Sequence, residues 1–408
     1  VWLVNLADVY DVLPMHKELF DLAIIDEATQ CDIPSCLPIF QRAKKVVVTG
    51  DPHQLRHVSF LARARQTHLA EKHKLPFTQS ERFNYREKSV LDLVNEVISN
   101  QEQVVMLDEH YRSLPGIISY SNQTFYKNAL HVMTQSPISE KKNAVEIIQL
   151  EGKRDKRGIN EVEADWILYR VKEIIQNEDH LSKEVCHSIG ILSPFRDQVD
   201  YLAALFHKEL QIKELEKHEI TIGTAHSFQG EERDMMFLSF AFDETASGGT
   251  FTHLNKDDIF NVAVTRARVK QFVILSTPLD KIPANSHLKK YIGSIGLVHE
   301  NKDKENLNAS NLLYCEFANE VADYFKILGF NSFIGYPIAG LNIDMLLEKD
   351  GRLLGIDLIG YPGVYSHPFE LERYQMLQRA GLQILPLTYL RWEKHKQECS
   401  DIITSQFE

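Results

Sequence analysis

Cysteine is scarce. Cys31, Cys36, Cys186, Cys315 and Cys399 are odd in number and scattered along 408 residues, which excludes a disulfide framework and a four-thiolate metal cluster and reads as ordinary reduced thiols. No apolar run approaches the length of a membrane span, and the first residues lack a basic-then-apolar leader pattern. The expectation is a cytoplasmic protein without a membrane partner. Positive charge is not in excess either. Lys and Arg number 45 against 57 Asp and Glu, a net charge of -12, which is unlike a chain coated in nucleic acid. A local basic groove inside an acidic molecule stays open. One candidate is "RHVSFLARARQTHLAEKHK", with Arg56, Arg63, Arg65, Lys72 and Lys74, and its alternative is a solvated helix face.

With 44% hydrophobic and 25% charged residues, the chain has the make-up of a globular protein, and its length suggests roughly two or three domains. "DLAIIDEATQ", residues 21 to 30, begins with a short apolar run that has no 3.6-residue period. Such a run reads as a strand buried on both faces of a parallel sheet, with Asp26 and Glu27 at its carboxyl end, the edge where open α/β sheets bind ligands. A solvated turn or helix cap is the alternative. "AKKVVVTGDPHQL" is a second buried strand that ends in a Gly-Asp turn. From about residue 104 further strand-like runs follow: "NAVEIIQL", "SIGILSPF", "ITIGTAHSF", "DMMFLSFAF" and "QFVILST". Between them a helix is expected at 160 to 179, with Val162, Ile167, Val171, Ile174 and Ile175 on one stripe and Asn160 and Glu163 at capping-box spacing. Strands alternating with helices predict an α/β fold with parallel sheets covered by helices. Residues 299 to 310 are polar and read as a linker. After it, helix, strands, helix and strand suffice for a small α/β domain, residues 311 to 408.

Several short motifs match the needs of nucleotide hydrolysis. Phosphoryl transfer needs a metal near the phosphates, a positioned water and cations facing the developing charge. Asp26 suits Mg²⁺ and Glu27 suits the water. Gln54 in "GDPHQL" offers an uncharged amide, Arg112 in "DEHYRS" a phosphate clamp with Tyr111 beside it as a flat surface for a base. Gln229, Gly230 and Glu232 fall on a tight loop in "HSFQGEERD", and "NVAVTRAR" ends the series with Arg266 and Arg268. Tyr111 packed in a core and Arg268 on a solvated helix face are the alternatives.

These motifs, with "SPFRDQV", stand in an order that resembles the helicase core of superfamily 1, in the branch of the nonsense-mediated-decay helicases, over roughly residues 1 to 280. The resemblance implies two RecA-like P-loop domains with ATP between them. Residues 1 to 103 would be the carboxyl-terminal part of the first and 104 to 298 the second. It gives Asp26 the metal, Glu27 the catalytic base and Gln54 the sensing of the γ-phosphate. Tyr111 would stack on adenine, Arg112 would touch the γ-phosphate, Glu232 would bind ribose, and Arg266 would be the arginine finger. Ser193, Pro194, Gln198, Thr224 and Ser227 match positions along a track for single-stranded DNA or RNA next to a duplex. The implied cofactors are ATP and Mg²⁺.

Two features depart from that pattern. The chain contains no GxxxxGK[ST] phosphate loop. Together with a valine in first place, this leads to the expectation that a preceding segment carries the loop, in the same or a separate chain. The family's usual proline is replaced by Arg56, which puts strand handling in doubt. Beyond the motor, residues 311 to 408 resemble a restriction-endonuclease-like domain of the very-short-patch-repair type. Asp344 and Asp357 on successive strands form the expected site, with Glu316, His367 and Arg373 as further candidates. Ile359 stands where that family carries an acid or lysine, so the expectation is a degenerate domain that binds DNA or stabilises the motor.

Overall fold

The computed structural model describes residues 1–243, 252, 254–295, 315–363 and 365–407; the expected linker at 299–310 lies outside them. The chain divides into two units, one of residues 1–107, 225–229 and 252–263, the other of 108–224, 230–251 and 264–408.

In the first unit, β1 (Phe20–Ile25) and β2 (Ala43–Val48) pair in parallel with Ile25 opposite Val48. The helix Ile33–Arg42 connects them and starts where the Asp32 carboxylate accepts from the Ser35 N–H at 3.0 Å. Successive side chains of a strand point to opposite faces, and only one face of this pair is covered. Ile25, Ala28, Cys36, Val90 and Leu91 form a core there. On the other face Leu22, Ile24 and Val47 are 49%, 65% and 46% exposed, so β1 is not the doubly buried strand its apolar run predicts. The basic stretch forms the helix Arg63–Lys72, which buries no residue and is a solvated face. Residues 225–229 and 252–263, assigned by sequence order to the second domain, fold with the first. Bonds that hold them include Gln229 Nε2 to the Leu55 carbonyl at 3.1 Å and Asn261 Nδ2 to the His53 carbonyl at 3.0 Å.

The second unit opens with a short parallel pair, β3 (Glu109–His110) and β4 (His131–Val132). Then come β5 (Val145–Gln149), β6 (Ile189–Leu192), β7 (Thr221–Gly223), β8 (Arg233–Ser239) and β9 (Ala267–Leu275). They form a parallel sheet in the order β5-β9-β8-β6-β7, as the alternation predicts. The helix Glu161–Asn177 packs Ile167, Val171, Ile174 and Ile175 into the core, while Val162 is exposed and does not join the stripe. Asn160 caps this helix by accepting from the Glu163 N–H at 3.2 Å. The reciprocal half of the expected capping box is missing, because the Glu163 side chain turns into the core and the Asn160 N–H donates to Gln198 Oε1 at 2.8 Å instead.

The last part of the chain adds β10 (Asn331–Ile338), β11 (Leu341–Lys349) and β12 (Arg352–Ile359), an antiparallel meander, and β13 (Ile384–Thr388), parallel to β12. The helix Glu316–Ile327 contributes Phe317, Val321 and Phe325 to its core. This region is not separate from the five-stranded sheet but lies in the same unit. Met133, next to β4, shares a core with Ile338, Ile343, Leu346 and Phe369, and Arg379 pairs with Glu109 of β3 (Nε to Oε2, 3.0 Å). Among the described residues no helix is long and apolar enough to cross a membrane.

Candidate functional site

Asp26 and Glu27 follow β1 directly, and the turn after β2 is bonded to them. The Ala28 N–H donates to the Thr49 carbonyl and the Thr49 N–H to the Ile25 carbonyl, both at 2.8 Å. The Thr49 hydroxyl donates to Asp26 Oδ1 at 2.5 Å, and the Glu27 N–H reaches the same oxygen at 2.9 Å. Asp26 is exposed, and both of these bonds fall on Oδ1, which leaves Oδ2 for a metal-bound water. Glu27 has φ 50°, a left-handed conformation that costs a non-glycine residue energy and is commonest at sites where chemistry fixes the side chain. Gly50 is required for this approach of the two turns: a Cβ there would lie 3.1 Å from Ala28 N and 3.2 Å from Leu91 Cδ2. In the turn, Asp51 organises Gln54, accepting from Nε2 at 3.0 Å. Arg56 forks onto Asp92, at 2.5 and 3.2 Å, where Asp92 closes the capping box of the helix Val90–Val97. Its substitution for proline therefore has a structural use.

In the second unit, Glu232 stands between two arginines. Arg112 pairs with its Oε2, and Arg268 Nη1 lies 3.3 Å from Oε1, with Arg268 Nη2 also 2.9 Å from Asp234 Oδ1. Arg268 is thus tied into an ion network and is not a merely solvated charge, whereas Glu232, expected to hold ribose, is occupied by side chains. Next to Arg112, burial and then the Arg112 charge push His110 down to about 4, so its Nε2 is neutral and accepts from the Ser113 N–H at 3.0 Å. The Tyr111 hydroxyl donates to Glu109, and its ring is half exposed, as stacking requires. Arg379 and then Tyr111 hold the Glu109 carboxyl down to about 2. Arg266 does not present itself as an exposed finger. It is 1% exposed, with Nη1 3.4 Å from the Glu231 carbonyl and Nη2 3.3 Å from Thr265 Oγ1.

The expected nucleic-acid track is only partly surface. Gln198 is fully buried, donating through Nε2 to the Asn160 carbonyl at 3.1 Å and to Ser239 Oγ at 3.2 Å. Ser193 is fully buried as well, its hydroxyl accepting from the Phe195 N–H at 3.4 Å. Both side chains are spent on bonds within the protein, Gln198 tying this loop to Asn160 and Ser239. Pro194 and Thr224 are half-buried, while Ser227 and Gly230, with φ 75°, are exposed. Gln229, expected at the cofactor, instead spends its amide on the Leu55 carbonyl.

In the last domain Asp344 and Asp357 do meet. Asp344 accepts from the Leu358 N–H at 3.0 Å, and burial, joined by the neighbouring Asp357, pushes it up to about 7. Asp357 is fully buried: Oδ2 accepts from the Phe369 N–H at 3.1 Å and the Tyr374 hydroxyl at 2.5 Å, while Oδ1 has no partner among the described residues. Arg373 Nη2 lies 3.9 Å from Asp344, and its guanidinium covers the Phe369 ring at 3.6 Å. Glu316 bonds to the Tyr361 hydroxyl at 3.4 Å instead of the pair, and His367 is exposed. Sequence reasoning missed Thr49, Asp234, Tyr374 and Arg379. Thr49, immediately before the Gly-Asp turn, is the one whose position gave a signal.

The first unit thus carries a parallel strand pair ending in an acid turn and a glycine turn, and the second a five-stranded parallel sheet with Arg268 on β9, an arrangement of the RecA-like class. Residues 10–60 and 87–277 match two family models, each described as an AAA domain. The DNA replication ATP-dependent helicase/nuclease dna2 of Schizosaccharomyces pombe is 29% identical over 368 residues, covering 84% of this chain and 24% of that protein. The uncharacterized ATP-dependent helicase MG140 of Mycoplasma genitalium is 23% identical, covering 66% of this chain and 24% of that protein. The regulator of nonsense transcripts 1 homolog of Arabidopsis thaliana is 26% identical, covering 64% and 20%. The chain spans about a quarter of the length of the dna2 and MG140 relatives.

Proposed function

We propose that the chain is part of an ATP-dependent helicase of superfamily 1, which hydrolyses ATP to move along single-stranded DNA or RNA and open an adjacent duplex. The observation that carries this reading is the Asp26–Glu27 pair at the end of β1, bonded through Thr49 to the turn that carries Gln54. An exposed carboxylate with its second oxygen turned from its donors suits Mg²⁺ held through water. When bound, Mg²⁺ would neutralise charge on the terminal phosphates. Glu27, held in its left-handed conformation, would take a proton from the attacking water. Arg112 and Arg268 supply cations whose forks match phosphate oxygens, and a phosphate would compete with Glu232 for Arg112. The β and γ phosphates need backbone amides and a lysine, so we assign the phosphate loop to residues outside these 408, in the same or another polypeptide.

For residues 315–407 we propose a restriction-endonuclease-like domain of the very-short-patch-repair type that binds DNA or braces the motor without cutting. The paired carboxylates and the unpartnered Asp357 Oδ1 suit a divalent metal, but Tyr374 already occupies Oδ2 and Ile359 can neither hold a metal nor polarise a water. The five free thiols accord with a cytoplasmic location. The test is unwinding of a tailed duplex by the full-length protein, with ATP and with a non-hydrolysable analogue. Opening with ATP alone supports the motor. Nucleic-acid binding with no ATP-driven opening would instead favour a binding subunit.

A further inference from the structure

We propose that the second unit holds a transition-metal site of the zinc class, built from Glu178, Cys186 and His218, at the amino-terminal edge of its sheet. A carboxylate oxygen of Glu178, Cys186 Sγ and a ring nitrogen of His218 all lie within 4.8 Å of one another. The three residues come from three different connections. Glu178 caps the carboxyl end of the helix Glu161–Asn177, Cys186 precedes β6, and His218 follows the helix Ile212–Lys217 before β7. Their convergence is tertiary.

A second observation points to a ligand. His218 is fully buried, its Nδ1 is 3.1 Å from the His187 carbonyl, and its Nε2 has no partner among the described residues. A buried polar atom left without a partner costs roughly 1–3 kcal/mol. An imidazole that donates one N–H to a backbone carbonyl and keeps the other nitrogen as a lone pair is the arrangement metal ligands adopt. His187 does the same service for the carboxylate. Its Nδ1 lies 2.6 Å from Glu178 Oε1 and its N–H donates to Oε2 at 2.9 Å, fixing the direction in which Glu178 can coordinate.

The donor set selects the metal. Thiolate with imidazole favours zinc over Mg²⁺ or Ca²⁺, which prefer oxygen. Ligands at about 2.0–2.3 Å from a tetrahedral ion stand roughly 3.5 Å apart, so the three side chains must draw together when the ion binds. Binding would release the Cys186 thiol proton to solvent and leave one position to water. The site lies at the amino ends of β6 and β7, the same sheet edge as Glu232 before β8 and Arg268 at the start of β9, with Ser188 and Asp234 between them. A metal held there would join a helix end to two loops.

The experiment uses the full-length protein, purified without chelator, with zinc content measured and Co²⁺ then titrated into the zinc-stripped protein. The expected result is one equivalent of zinc assignable to this site, lost in Cys186→Ser. A thiolate-to-cobalt absorption band in the wild type should be absent from that variant. His187→Ala should keep the band and weaken cobalt affinity by about 10–100-fold. Wild-type protein that shows no thiolate band, or a band unchanged by Cys186→Ser, overturns the proposal. A wild-type protein without the band refutes the site whether or not a variant folds.

Discussion

Glu163 is a carboxyl sealed in the core of the second unit, and replacing it with glutamine isolates what its proton does. Ser276 Oγ donates to Oε1 at 2.9 Å, and Ser239 Oγ and the Ala241 N–H donate to Oε2 at 2.8 and 2.9 Å. Burial outweighs these donors and pushes the group up to about 7 from an ordinary 4.5. A carboxyl with a raised folded value binds its proton more tightly in the folded chain. Its stabilising contribution is complete below pH 4.5 and is lost as pH rises towards 7. At about 1.4 kcal/mol for each pH unit, the loss amounts to about 3 kcal/mol. Glu163→Gln keeps the shape: its oxygen can accept from Ala241 and Ser239, and its amide can donate to Ser276, whose hydroxyl rotates. The variant removes the titration. Urea unfolding of both proteins between pH 5 and 8 should show wild-type stability falling relative to the variant by about 1.4 kcal/mol per pH unit between pH 5 and 7, and no further change above 7.5. Parallel curves across that range would refute the reasoning.

Two other outcomes follow from the same structure. Gln198→Ala strands the Asn160 N–H in the core and should destabilise the second unit by about 1–3 kcal/mol in urea unfolding while leaving affinity for single-stranded nucleic acid unchanged; a loss of affinity without a loss of stability would return Gln198 to the track. The full-length protein with Mg²⁺ should leave supercoiled DNA uncut, and cleavage that disappears in Asp344→Asn while ATP hydrolysis persists would show a working nuclease.

Much of the architecture was legible because it rests on period. The runs that became β5 to β9 carry apolar stretches such as Ile189–Leu192, Met235–Leu238 and Phe272–Leu275, as strands buried in a parallel sheet require. The meeting of Asp344 with Asp357 also followed from two acids on adjacent strands. What could not be read was direction. Gln198 and Ser193 sit in a motif of the right residue types, yet their side chains point inward to Asn160, Ser239 and Phe195. Arg266 and Glu232 are likewise placed by partners that sequence order does not specify, namely the Glu231 carbonyl and two arginines from distant segments. The exposed row of Leu22, Ile24 and Val47 has the same composition as a buried one. Residues 225–229 fold with the first unit, where the Gln229 amide reaches Leu55 across 174 residues of sequence, a bond that no local pattern announces.

The most direct test of the central claim is nucleic-acid-stimulated ATP hydrolysis by the full-length protein carrying Glu27→Gln. The substitution keeps size and hydrogen-bonding reach but removes the base, so hydrolysis should fall by about 10²–10⁴-fold with nucleic-acid binding intact. Hydrolysis at the wild-type rate would mean that the Asp26–Glu27 pair does not position the attacking water, and the motor assigned to this fold would lose its chemical centre.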